Sequence, residues 1–296
     1  MTSLSVILIL ISAGIHIGWN SLTKSSAQPR VFSLFKGTLL MALALALPFQ
    51  FNLFLIPAHL WGLIVLSGVV HALYILSLST AYEKGDISFV YPIVRSAPAF
   101  VPLVAFIVFA ETISLRGGSG IAIVVTCILV LLLQGKLERI GDILRVFLKR
   151  ENLWAFITLG TVVTYSVVDK AGMMSARLLD EVPGWGQGIV YFLLENTICY
   201  SLYWLFMLRK RDSEWVAVWR REWWKIWLAA LGTITSYGTV LHVMKTENLS
   251  YIVTLRQSSI LFAVIIGWFF FHERQFRLRL LVSIVMIFGL YLTATA

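Results

Sequence analysis

Apolar residues run through this chain in long blocks, and polar residues collect in the gaps between them. A bilayer-spanning helix needs about 20 mostly apolar residues, and the chain supplies about ten such blocks. They cover 3 to 22, 31 to 50, 58 to 82, 87 to 110, 118 to 134, 152 to 172, 184 to 208, 224 to 244, 249 to 271 and 279 to 295. These runs are too long and too continuously apolar for barrel strands, whose residues alternate between lipid and lumen. The first run lacks a basic flank and an A-x-A site, so it reads as an uncleaved helix rather than a secretory signal. The expected fold is an all-α, multi-pass membrane protein.

The polar residues also repeat. GIHIGWNSLTK at Gly14 to Lys24 is matched by GTVVTYSVVDK at Gly160 to Lys170, with Gly, an aromatic, a small polar residue and Lys at the same spacing. SFVYP at Ser88 to Pro92 is answered by SYIVT at Ser250 to Thr254, and Glu111 in FAE by Glu273 in FHE. A duplicated chain with an odd number of helices per half gives an inverted repeat, an arrangement common in secondary transporters. The expected division is a first repeat over 1 to 135 (helices 1 to 5), a charged linker over 136 to 151, and a second repeat over 152 to 296 (helices 6 to 10).

Composition sharpens this picture. Hydrophobic residues make up 59% and charged residues 13%, which excludes a water-soluble globule. The net charge of +9 would suggest a nucleic-acid partner in a soluble protein, but no basic domain remains to bind one. Seventeen of the 24 basic residues fall in one set of loops, among them Lys24, Arg30, Lys84 and those between Lys136 and Arg150. By the positive-inside rule that side is cytoplasmic, which places both ends of the chain on the opposite side. Trp215, Trp219, Trp223 and Trp227 recur every four residues beside Arg220, Arg221 and Lys225, predicting a helix face in the headgroup layer. Cys127 and Cys199 sit in apolar runs and read as packing residues.

The W-N-x-x-x-K ending of helix 1, the S-x-V-x-P start of helix 4, the acidic residue closing helices 4 and 9, and the two five-helix halves resemble the EamA branch of the drug/metabolite transporter superfamily. The resemblance covers essentially the whole chain. It implies alternating access by two repeats around a central cavity, with helices 5 and 10 peripheral. Members carry amino acids, nucleotide sugars, triose phosphates, cationic drugs and other metabolites, so the family does not name a substrate. Relatives are often drawn with cytoplasmic termini, opposite to the loop charges here.

Ionisable residues inside a membrane are costly and normally face a cavity or a partner. Lys36, Arg95, Glu195 and Arg256 are the candidates. Lys36 and Glu195 lie at similar depths in helices 2 and 7, as a mutual ion pair or as cavity groups. Arg95 and Arg256 nearly correspond in helices 4 and 9, and no acidic residue lies near either in its own helix. They fit a substrate anion, or carbonyls bared by a kink. Pro92, Pro98 and Pro102 predict that kink in helix 4. Tyr91 shares a face with Arg95, and a guanidinium fork with a phenol suits phosphate or carboxylate. Gln257 continues a polar run in helix 9.

Helix 1 aligns His16, Asn20 and Lys24, bordered by Trp19, while Tyr74 and Tyr237 offer phenols from helices 3 and 8 or pack in the core. His16, His71 and Glu195 are candidates for coupling or gating, with protons as the candidate coupling ion. Glu111 and Glu273 sit at helix ends close to Arg116, Arg274 and Arg277 and are expected to form structural ion pairs or gates at the mouth.

The expected function is secondary transport of a small anionic or zwitterionic molecule bearing phosphate, phosphonate or carboxylate. The bilayer expected is a bacterial inner membrane. The alternative is a flippase for an anionic lipid or lipid-linked headgroup. A G-x-S-G string at Gly117 to Gly120 superficially matches intramembrane serine proteases, but it lies in a tight reversal, where glycine is needed anyway. No H-E-x-x-H, Walker A or Rossmann pattern is present, so neither an enzyme nor a cofactor is expected, and no metal.

Overall fold

The computed structural model describes residues 1–84, 90, 93–132, 153–175, 182, 184–209, 215–262 and 276–296. All regular structure among these residues is helical. We label the principal helices α1 (Ser3–Lys24), α2 (Pro29–Ala44), α3 (Ala58–Lys84), α4 (Ala97–Phe109) and α5 (Leu115–Leu132). They continue as α6 (Leu153–Ser175), α7 (Gly184–Leu208), α8 (Trp215–Met244), α9 (Leu249–Leu255) and α10 (Phe276–Ala294). Among the described residues five stretches are long and apolar enough to cross a membrane: Ser3–Lys24, Pro29–Gln50, Ala58–Lys84, Gly184–Leu208 and Trp215–Met244. At about 1.5 Å per residue, the 22 residues of α1 reach across the roughly 30 Å hydrocarbon layer. The protein is an all-α membrane protein.

The described residues form two compact units, and each takes segments from early and late in the chain. Unit 1 holds Met1–Leu10, Leu73–Val167 and Glu247–Ala296; unit 2 holds Ile11–Ala72 and Val168–Thr246.

In unit 2, α2, α7 and α8 pack on one another. Pro29 opens α2 at a position where its missing N–H costs nothing. Phe32, Ile226 and Ala229 form a sealed core that Trp19, Phe35 and Trp219 cover. Small residues bring the backbones together, as membrane helices require where lipid offers no hydrophobic drive. A Cβ on Gly188 would lie 2.9 Å from the Gly238 carbonyl oxygen.

The predicted tryptophan face divides here. Trp215 is 7% exposed and Trp219 packs in the core, whereas Trp223 and Trp227 are 53% and 40% exposed. A four-residue spacing advances about 40° past a full turn at each step, so the row winds from the core to the outside. Only Trp223, Trp227 and their neighbour Trp224 remain available to a headgroup layer.

In unit 1, α5 packs on α10 and α4 on α9. Gly120 and Gly289 meet across the first pair: a Cβ on Gly120 would lie 2.6 Å from the Gly289 carbonyl oxygen. The Gly117 to Gly120 string thus has a packing role. Ser119 within it donates its hydroxyl back to the Leu115 carbonyl at 2.9 Å. The predicted break in helix 4 falls at Ser96, after a helical turn over 93–95, and α4 continues through Pro102. The chain leaves α4 through Ala110, whose left-handed backbone (φ 52°) turns Glu111 toward the start of α9.

Candidate functional site

Each unit carries a polar centre inside its helices. In unit 1 the two arginines both sit where helix gives way. Arg95 precedes the break at Ser96, and Arg256 and Gln257 form the turn that ends α9. Such interruptions leave backbone polar groups that a membrane protein tolerates only in its interior. Both guanidinium groups lie within electrostatic reach of the Tyr74 phenol. Arg95 Nη1 donates to Ser259 Oγ at 3.3 Å. The Tyr165 ring packs edge-on against Tyr74, 5.6 Å between centroids. Gln257 spends its amide N–H on the Val253 carbonyl, and its Oε1 and the Ser258 hydroxyl are buried with no hydrogen-bond partner among the described residues. Three residues named from sequence, Arg95, Arg256 and Tyr74, therefore share one neighbourhood. Tyr91 and Pro92 lie outside the described residues.

In unit 2, four helices converge on a buried carboxylate pair. Asp169 of α6 is fully buried and Glu195 of α7 is 2% exposed. Ser67 Oγ of α3 lies 2.5 Å from Asp169 Oδ1 and also hydrogen-bonds Glu195 Oε2. Tyr237 of α8 donates to Asp169 Oδ2 at 2.5 Å, and Tyr191 of α7 donates to Asp169 Oδ1 at 3.3 Å. His71 Nδ1 stands 3.6 Å from Glu195 Oε2 and 3.2 Å from Ser67 Oγ. Its ring meets Tyr237 edge-on at 5.6 Å. One potential ligand atom from each of His71, Asp169 and Glu195 falls within 4.8 Å of the others. The predicted candidates His71, Glu195 and Tyr237 are thus brought together, joined by Asp169, Ser67 and Tyr191, which the sequence reading did not name.

Asp169 adjoins Lys170 inside predicted helix 6, and the helix runs on to Ser175 and buries both. Lys170 Nζ donates to the Met244 carbonyl at 2.7 Å, satisfying an orphan acceptor in the last turn of α8. Ser67 carried no sequence signal, because hydroxyls are common in membrane helices as simple backbone partners.

Other candidates take different roles. Among the described residues no ion pair joins Lys36 to Glu195; Lys36 Nζ lies over the Trp19 ring, 3.9 Å from its centroid. His16 meets the same indole edge-on at 5.0 Å. Asn20 donates its amide to the His16 carbonyl at 2.7 Å within α1, and Lys24 is exposed, so the helix 1 stripe is partly self-satisfied.

The expected pairing of Glu111 with Arg116 does not form. Glu111 Oε1 accepts from the Leu249 N–H at 2.7 Å, while its Oε2 accepts from the Ser250 hydroxyl at 3.0 Å and backbone N–H at 3.3 Å. It caps α9, because the first turn of a helix leaves N–H groups that favour an anion. Arg116 lies over the Tyr291 ring instead, at 5.7 Å. Glu273 and Arg274, and the side chain of Arg277, lie outside the described residues.

No family model and no curated protein matches the chain. Several solved structures resemble the chain, and one of them, a protein crystal structure, matches with a TM-score of 0.67 at 15% identity. The match covers 99% of this chain and 98% of the other. At that identity the likeness concerns the fold alone.

Proposed function

We propose that this protein is a secondary active transporter for a small organic anion or zwitterion, of the EamA type, built as an inverted repeat of two five-helix halves in a bacterial inner membrane. The repeat is supported by the packing of α2 on α7, α4 on α9 and α5 on α10. Each of these pairs joins elements at like positions in the two halves, a pattern that a two-fold relation between halves produces where its axis passes between them.

One observation carries the substrate class. Arg95 and Arg256, at two helix interruptions, act on the same phenol, Tyr74. Two guanidinium groups carried into one membrane interior favour an anion, which offsets their charge while accepting their hydrogen bonds. Phosphate, phosphonate and carboxylate groups all match the guanidinium fork. Discontinuous helices are where transporters of this architecture bind substrate.

The test is uptake into proteoliposomes of radiolabelled inorganic phosphate, methylphosphonate and pyruvate, one probe per headgroup class. Saturable uptake of at least one is expected, with loss in Arg95→Gln and Arg256→Gln. Movement of none of the three, together with scrambling of a fluorescent anionic lipid, would favour the flippase alternative.

A further inference from the structure

The buried centre of unit 2 contains more acceptors than its protons can serve if both acids are ionised. A serine hydroxyl has one proton to give. Ser67 Oγ is within hydrogen-bond reach of a carboxylate oxygen of both Asp169 and Glu195. It can donate to one of them, and the second contact then needs a proton on the carboxyl itself. Two ionised carboxylates at this separation, removed from water, repel strongly and share a proton instead.

The surrounding charges do not remove that need. Lys36 is engaged with Trp19 and Lys170 with the Met244 carbonyl. Among the described residues the other titratable groups facing the pair are His71, Tyr191, Tyr237 and Cys199. Their distribution is uneven. Asp169 faces three hydroxyls, from Ser67, Tyr191 and Tyr237, whereas Glu195 faces Ser67 and the His71 ring. Donated hydrogen bonds favour an ionised carboxylate, and Glu195, with fewer donors facing it, is the better seat for the shared proton. His71 Nδ1 stands beside Glu195 Oε2 and the Ser67 hydroxyl, and lies 3.1 Å from the Ser67 carbonyl, to which it can only donate. A divalent cation fits less well, since Ser67 Oγ already occupies the space between the two carboxylates.

We propose that Asp169 and Glu195 hold one exchangeable proton between them, and that this proton is the coupling ion of the transport cycle. The second clause rests on the transport function proposed above. The proton site is tested separately by infrared difference spectroscopy on the full-length protein in lipid. At neutral pH the wild type should show a carboxylic-acid C=O band that Glu195→Gln removes. Should that variant fail to fold, Tyr237→Phe gives the second reading. With one donor to Asp169 lost, the band should persist to a pH about one unit higher, a tenfold gain in proton affinity.

Coupling is read in proteoliposomes containing a pH-sensitive dye, with the anion probe that the uptake assay identifies among the three. In the wild type the dye signal should accompany the anion; in Glu195→Gln anion exchange should continue without it. Absence of the band in the wild type, its survival in both Glu195→Gln and Asp169→Asn, or its displacement by Mn²⁺ alone would overturn the proton site. Anion movement without protons in the wild type would overturn the coupling. If no anion moves, the transport function falls, while the infrared band still decides the proton site.

Discussion

Gly68 of α3 lies against the backbone of Glu195 in α7, so close that a Cβ on it would sit 2.7 Å from the Glu195 carbonyl oxygen. Ile198 Cβ would be equally near, at 2.7 Å. The neighbouring residue, Ser67, is thereby held against the Glu195 carboxylate. A carbonyl cannot swing aside as a flexible side chain does, so Gly68→Ala must push α3 and α7 apart. The expected cost is about 1–3 kcal/mol, read as a lower unfolding temperature in detergent. Gly18→Ala is the control: nothing lies within 4 Å of its Cβ position, and alanine there should be neutral or stabilising by up to about 1 kcal/mol. Equal behaviour of the two variants would show that the α3–α7 contact is looser than described.

Arg95→Gln and Arg256→Gln should each weaken anion uptake at least tenfold, a loss of about 1.4 kcal/mol or more in binding. The effect should appear in KM, since both side chains act on the bound anion. Lysine at either position should recover only part of the loss, because a point charge replaces a planar two-pronged donor. Uptake kinetics across the four variants decide this. Unchanged KM in both glutamine variants would remove the arginines from the binding site.

Glu111 supports that site from a distance. Its carboxylate satisfies the Leu249 and Ser250 N–H groups that open α9, and α9 ends at Arg256. Glu111→Ala leaves these buried donors without their acceptor and should cost about 1–2 kcal/mol. Glu111→Gln, which retains one carbonyl acceptor, should cost less. Thermal unfolding ranks the three proteins, and a wild-type melting temperature for Glu111→Ala would show that water replaces the cap.

What the chain disclosed in advance follows from how strongly physics marks each feature. Long apolar runs mark membrane helices because the bilayer thickness fixes their length, and α1, α3 and α7 fall close to their predicted positions, while α8 ends as predicted but begins nine residues earlier, at Trp215. Arg95, Arg256 and Glu195 stood out because a charge in an apolar run has few structural excuses. Asp169 did not, since Lys170 beside it gave it one, and only the packing around α6 buries both and turns Lys170 to the Met244 carbonyl instead. Glu111 was assigned the wrong partner for a related reason. Sequence proximity to Arg116 is visible, whereas the left-handed turn at Ala110 that aims Glu111 at α9 is not. The tryptophan row shows a third kind of error, where a spacing of four was read as one face although it drifts about 40° per step.

Glu247, in the turn between α8 and α9, should give unit 1 a pH-dependent part of its stability. Burial pushes its carboxyl up, but the Thr2 backbone N–H, the Ser5 hydroxyl, the Met1 ammonium and the Thr2 hydroxyl favour the ionised form and together outweigh burial, so it is held below the usual carboxylate range. The Thr2 bond is 2.8 Å long. A carboxyl more acidic in the folded state stabilises the fold fully above its unfolded value, about 4.3 for glutamate. That contribution is lost as pH falls through the lower folded value. Glu247→Gln should therefore unfold at a lower temperature than wild type at pH 7, and the gap should close in acid once the wild-type carboxyl is protonated. Paired melting curves in detergent across the acid range test this. A gap of constant size from neutral pH down through the carboxylate range would mean that shape, and not the ionised carboxylate, ties the start of α1 to this turn.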